Sequence, residues 1–292
     1  MKECFREKKF NEKSLGLIER CDSIIEEYAG RGMRLTLRQL YYVLVSSDVI
    51  PNNIRSYKNL GGLVSDARIA GLLDWDGIED RVRVPDKPQQ FDSMGDLMDV
   101  ALRAYRLPRW EGQENYVELW VEKDALANVL RPVAKRDHVT LMVNRGYSSS
   151  SAMYEAAQRF TENGSDGQNL IILYLGDHDP SGEDMVRDVR DRLALFGADV
   201  DVRKIALTMA QVEEYDPPPN PAKVTDSRAA AYIRRYGDKS WELDALKPEV
   251  LQAIITDEID PLIDRSLMDA IIERETREKK TIEKAVASLR GK

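Results

Sequence analysis

The period of the apolar positions changes along the chain, and the changes divide it. Between Lys13 and Gly30, apolar side chains at Leu15, Leu17, Ile18, Cys21, Ile24, Ile25 and Tyr28 recur at helical spacing, and Gly30 and Gly32 end the run. A second helix opens at Thr36, with Gln39 three residues on in a capping-box arrangement. In TLRQLYYVLVSS (36–47), Leu37, Leu40, Tyr41 and Leu44 form the buried stripe, and Tyr42 lies about 100° further round. A third helix is predicted from about Ser56 to Leu73, with Leu60, Val64, Ile69 and Leu72 for the core. The segment DWDGIEDRVRV (74–84) reads as a turn and a strand carrying Val82 and Val84. Three short helices and a hairpin are the order of a winged helix, and a plain helical cap domain fits the same pattern.

Residues 85–114, rich in Pro, Gln, Asp and Gly, read as linker sequence with one short helix over about 92–106. From Asn115 strands and helices alternate. VELWVE (117–122), VTLMV (139–143), LIILYL (170–175) and VDVRKIAL (200–207) are separated by helical segments, so an α/β fold with a parallel, two-side-covered sheet is expected. Beyond it, YDPPPNPAK (215–223) reads as an extended connector and the remainder as helical. The expected units are therefore 1–90, a linker 91–114, an α/β domain 115–207 and a helical extension 208–292.

Composition narrows the class. At 42% hydrophobic the chain has material for cores, yet no apolar run approaches the roughly 20 residues that span a bilayer, so no membrane is expected. The N-terminus is polar from the start, with no secretory signal. Cys4 and Cys21 lack metal-ligand spacing and read as free thiols of a reducing cytosol, which places the protein in the cytoplasm. Two histidines, His138 and His178, leave little room for histidine-based metal sites or triads. The net charge of −8 argues against indiscriminate nucleic-acid binding. Residues 1–110 nevertheless hold 18 basic against 17 acidic residues and the remainder 25 against 34, so a nucleic-acid surface belongs in the N-terminal third.

The strongest chemical signal is LYLGDHDPSGED (173–184). Asp177 and Asp179 follow an apolar strand at i and i+2, pointing the same way, and such a pair repels unless a cation stands between. Pro180 and Gly182 turn the chain into a helix. Glu122 holds the equivalent place after the first strand, and sites of open parallel sheets lie at the carboxyl ends of strands. An oxygen-only set of this kind suits Mg²⁺. Turn and helix-capping chemistry accounts equally for either aspartate alone.

These motifs resemble a Toprim domain. VEKDAL (121–126) and GDHDPSG (176–182) resemble more narrowly the Toprim domain of the topoisomerase VI A subunit and its meiotic double-strand-break relatives. The resemblance implies that Glu122, Asp177 and Asp179 hold Mg²⁺. Ser181 stands where related domains often carry a third aspartate, so one ion is better supported than two. It further implies an N-terminal winged helix with a catalytic tyrosine. Arg38 lies four residues before Tyr42 on one helix face, matching the family's R-x-x-x-Y pattern. A guanidinium there is expected to favour the phenolate over its usual pKa of about 10 and to hold phosphate oxygens. In length the chain is closest to the stand-alone Mini-A proteins.

The activity implied is Mg²⁺-dependent DNA breakage through a 5′-phosphotyrosyl link, by a homodimer in which each tyrosine works with the partner's acids, with room for a separate ATPase subunit. A Toprim-type endonuclease without covalent intermediate and a non-catalytic DNA-binding factor are the alternatives. DNA contacts are expected from Arg55, Lys58, Asn59 and Arg68 on the third helix and from Arg81 and Arg83 on the wing, all of which also fit ordinary solvated charge. The turn NRGYSSSSAMY (144–154) offers either a phosphate cradle or simple serine capping. No P-loop is present.

Overall fold

The computed structural model describes residues 2–78, 88–144, 148–164, 167–222 and 228–290. Three side-chain caps start the N-terminal helices. Asn11, Thr36 and Asn53 each accept a backbone N–H in the first turn of α1 (Glu12–Gly30), α2 (Leu37–Ser46) and α3 (Ile54–Ile69). Because Asn53 is the cap, α3 begins before the expected Ser56. At Thr36 the capping box is complete. Ile18, Cys21, Ile24, Tyr28, Leu40, Tyr41, Leu44, Leu60 and Val64 form the shared core of the three helices. After α3 the chain turns back and Ile78 bridges to Leu35. The expected wing, with Val82, Val84, Arg81 and Arg83, lies outside the described residues.

After α4 (Met94–Ala104), the second half of the expected linker is anchored. Trp110 is buried, and its Nε1 donates to the carbonyls of Asp137 and His138. The α/β unit follows the expected alternation: β1 (Asn115–Val121), α5 (Ala127–Arg136), β2 (Thr140–Val143), α6 (Ser150–Gly164), β3 (Asn169–Leu175), α7 (Pro180–Leu195) and β4 (Asp201–Ala206). All four strands are parallel, in the order β2-β1-β3-β4. Val121 pairs with both Val143 and Leu175, so three strands end level and present the residues after them along one edge.

Alternation sends Val117, Leu119, Val121, Leu173 and Leu175 to one face, and Tyr116, Trp120, Ile172 and Tyr174 to the other, against α6 and α7. The first face is closed by α5 and by the C-terminal part of the chain.

That part comprises α8 (Met209–Tyr215), the short antiparallel pair β5 (Asn220–Pro221) and β6 (Lys239–Ser240) with α9 (Ala229–Tyr236) between them, then α10 (Pro248–Ile259) and α11 (Arg265–Arg290). The start of the expected extended connector is thus the end of a helix. Leu243, Leu246, Leu251, Ile255 and Ile259 belong to the sheet's own core, whereas Ala245 enters the core of the three N-terminal helices. The segment 241–246 is therefore a wedge shared by both units, and it brings α2 against the α/β unit. α11 also packs on α4, and its Glu275 pairs with buried Arg109 at 2.6 Å. Among the described residues no helix is long and apolar enough to cross a membrane.

Candidate active site

The edge where β1 and β3 end carries all three expected acids. Glu122 follows β1, and its Oε2 accepts the backbone N–H of Asp177 at 3.2 Å. Asp177 Oδ1 accepts the Leu243 N–H at 2.8 Å and lies 2.8 Å from Lys123 Nζ. Asp179 is the N-cap of α7, its Oδ1 accepting from Gly182 N at 2.7 Å and Ser181 Oγ at 2.8 Å. Capping and site chemistry therefore meet in Asp179. Gly182 is required by close approach, since a Cβ there would stand 2.1 Å from the Asp177 carbonyl oxygen.

A side-chain cation already stands beside Asp177. Lys123 reaches Asp177, Glu242 Oε2 at 3.0 Å and Asp244 Oδ2 at 3.4 Å, and the three carboxylates hold its ammonium well above the usual lysine pKa despite burial. Even so, burial and the nearby Glu122 push the Asp177 carboxyl up to about 6, against the pull of Lys123. Burial also pushes the Tyr174 phenol up, with the charges of Glu122, Asp177 and Asp179 adding to it against the pull of Asn144. Among the described residues no three acidic, imidazole or thiol groups already converge as a metal cage. The donor chemistry nonetheless fits a hard divalent ion: three carboxylates at one strand edge, those of Asp177 and Asp179 buried.

Tyr42 stands across the domain contact. Sequence periodicity placed it off the buried stripe of α2, yet only 5% of it is exposed and it joins the apolar cluster of Leu40, Tyr41 and Leu44. The cover is tertiary: the other face of α2 packs on the 243–245 turn. Arg38 lies over the Tyr42 ring at 6.0 Å. Its effect on the phenol differs from expectation. Burial first and Glu242 second raise the Tyr42 phenol above its ordinary value, outweighing the opposite pull of Asn220 and Arg38.

Arg38 itself is held from two sides, its Nη2 by Glu242 and its Nε 3.0 Å from Asp244 Oδ2. Arg38, Glu242, Lys123 and Asp177 thus form one continuous chain of ion pairs from α2 to the strand edge, within a single polypeptide. Glu242, Asp244 and Lys123 had no assigned role in the sequence reading. Lys123 sat inside the quoted VEK motif, but WELDAL (241–246) carries no spacing that ties it to either motif.

A cleft of about 850 Å³ opens beside Tyr42, lined by Arg38, Tyr41, Asn52, Tyr57, Asn220 and Glu242 among others. Arg55 is exposed at its rim, and Lys58 and Asn59 are exposed on the same helix. Arg68 is turned to structure instead. Its guanidinium donates to the carbonyls of Trp75 and of Ile78 (2.7 Å) and lies over the Trp75 ring, fixing the turn after α3. The residues before the serine-rich helix, 145–147, lie outside those described. No protein-family model matches the chain, and no curated protein matches its sequence.

Proposed function

We propose that this protein is a Mg²⁺-dependent DNA transesterase of the topoisomerase VI A type, built from a winged-helix unit and a Toprim-like unit. The observation that carries the reading is the ion-pair chain joining the Tyr42–Arg38 pair on α2 to Asp177 at the carboxyl edge of the sheet. A phenol, a guanidinium and a strand-edge acid cluster share one domain contact, beside a cleft with arginine at its rim.

In this reading Tyr42 Oη attacks a backbone phosphorus, forming a 5′-phosphotyrosyl bond as the bond to the 3′ oxygen breaks. The phenol gives up its proton and the departing 3′ oxygen takes one up. One phosphodiester replaces another, so the break can be resealed. Arg38 holds the non-bridging oxygens. Glu122, Asp177 and Asp179 would hold Mg²⁺, which supplies charge neutralisation at the phosphate. Arg55, Lys58 and Asn59 would position duplex without reading sequence. A two-fold homodimer would supply two nucleophiles for the two strands.

One observation favours a second reading, a metal-dependent nuclease using water: the Tyr42 phenol is raised, not lowered, in pKa. Labelled duplex incubated with protein and Mg²⁺, then denatured, separates the two. DNA covalently bound to protein supports the transesterase; cut DNA without adduct supports the nuclease.

A further inference from the structure

Glu242 and Asp244 both hold Arg38, but they do so from different places. The Asp244 side chain is fully buried, whereas a quarter of the Glu242 side chain is exposed, and Glu242 lines the cleft beside Tyr42. Asp244 fixes the guanidinium from behind, and Glu242 covers the side that faces the cleft.

The charges around Arg38 are already paired. Two cations, Arg38 and Lys123, face three carboxylates, Asp177, Glu242 and Asp244. A phosphate entering the cleft meets a guanidinium already paired with two carboxylates and competes with them for it. Asp244 is buried beneath the contact, and Asp177 is tied to a backbone N–H. Glu242 has the exposure and the side-chain length to swing aside.

We propose that Glu242 is a stand-in for DNA phosphate, an exchangeable carboxylate that occupies Arg38 until a backbone phosphate displaces it, and thus a positioning residue for the Tyr42 reaction. This rests on the transesterase reading above. It gives the cleft an occupied resting state in which the tyrosine is covered and its arginine is engaged. DNA entry then frees the guanidinium for the phosphate.

The test is equilibrium binding of a short fluorescent duplex in EDTA, where cleavage plays no part, across a salt series. Glu242→Gln should bind roughly tenfold tighter than the wild type, because a charge-assisted competitor for Arg38 is gone. Its log–log salt slope should stay that of the wild type, because Arg38 engages the phosphate in both complexes. Glu242→Asp keeps the net charge but is too short to reach Arg38 as Glu242 does, so it should also bind tighter; it carries the test if the glutamine variant does not fold. Both gains should vanish in an Arg38→Gln background. If the wild type binds duplex and neither variant binds tighter, Glu242 does not compete with phosphate and the inference falls, while the transesterase reading stands. Tighter binding that survives Arg38→Gln overturns it as well. If neither the wild type nor the variants bind duplex, the functional reading falls and takes this inference with it.

Discussion

The ammonium of Lys123 lies 2.8 Å from Oδ1 of Asp177, so a residue of the first motif pairs with the first aspartate of the second. Lys123 also faces Glu242 and Asp244. Lys123→Ala would leave those carboxylates without their shared cation. Removing one partner of a buried ion pair costs about 3–5 kcal/mol, and partial exposure of Lys123 places the loss at the lower end. Denaturant unfolding should show a clear fall in stability, and an unchanged midpoint would contradict the network's role.

Tyr42→Phe removes the attacking oxygen and keeps the ring. Covalent adduct should disappear while duplex binding persists. Tyr41→Phe is the control: its hydroxyl donates to Asn52 Oδ1 at 2.9 Å, so the loss should be about 1 kcal/mol of stability, with adduct retained. Adduct that survives Tyr42→Phe removes Tyr42 as nucleophile.

Mg²⁺ binding is checked without any reaction. Melting temperature at neutral pH should rise with Mg²⁺ in the wild type, since a ligand of the folded state stabilises it, and the rise should be lost in Asp177→Asn. Gly182→Ala should weaken the same response. The new Cβ has no space against the Asp177 carbonyl, and overpacking of this kind costs about 1–3 kcal/mol. Equal Mg²⁺ shifts in all three proteins would place the ion elsewhere.

Cys4 is exposed and Cys21 buried in the helical core. Burial pushes the Cys21 thiol up to about 12 from 9.0, so the folded state holds its proton after the unfolded chain has lost it. Stability from this group is complete below pH 9 and declines as pH rises towards 12. A thiol reagent at pH 8 should label one cysteine quickly and the second only on unfolding. Two fast thiols in the native protein would contradict the packing of α1.

Partner chains are tested by mixing. Tyr42→Phe and Asp177→Asn proteins, each inactive alone, should together nick DNA with covalent attachment if a tyrosine works with the partner's acids. Silence after demonstrated subunit exchange would assign the site to one chain, in line with the ion-pair chain seen within it.

The parallel sheet, the three N-terminal helices and the Thr36 cap could be read from the sequence, because period, capping residues and strand-end carboxylates are local properties. Thr36 with Gln39 and the alternation from Asn115 onward were sufficient for that. Asp179 as a cap and Glu122 beside Asp177 followed from strand ends that register sets level. Tertiary structure decided the environment of Tyr42. Helical periodicity places a residue on a face but says nothing of what covers that face, and here the cover is the 241–246 wedge, far along the chain. The same wedge brings Glu242 and Asp244 to Arg38 and Lys123, and burial first, then Glu242, make less acidic the phenol that an isolated arginine would have made more so. Charge pairing between distant segments has no period, and only the folded chain sets which carboxylate meets which cation.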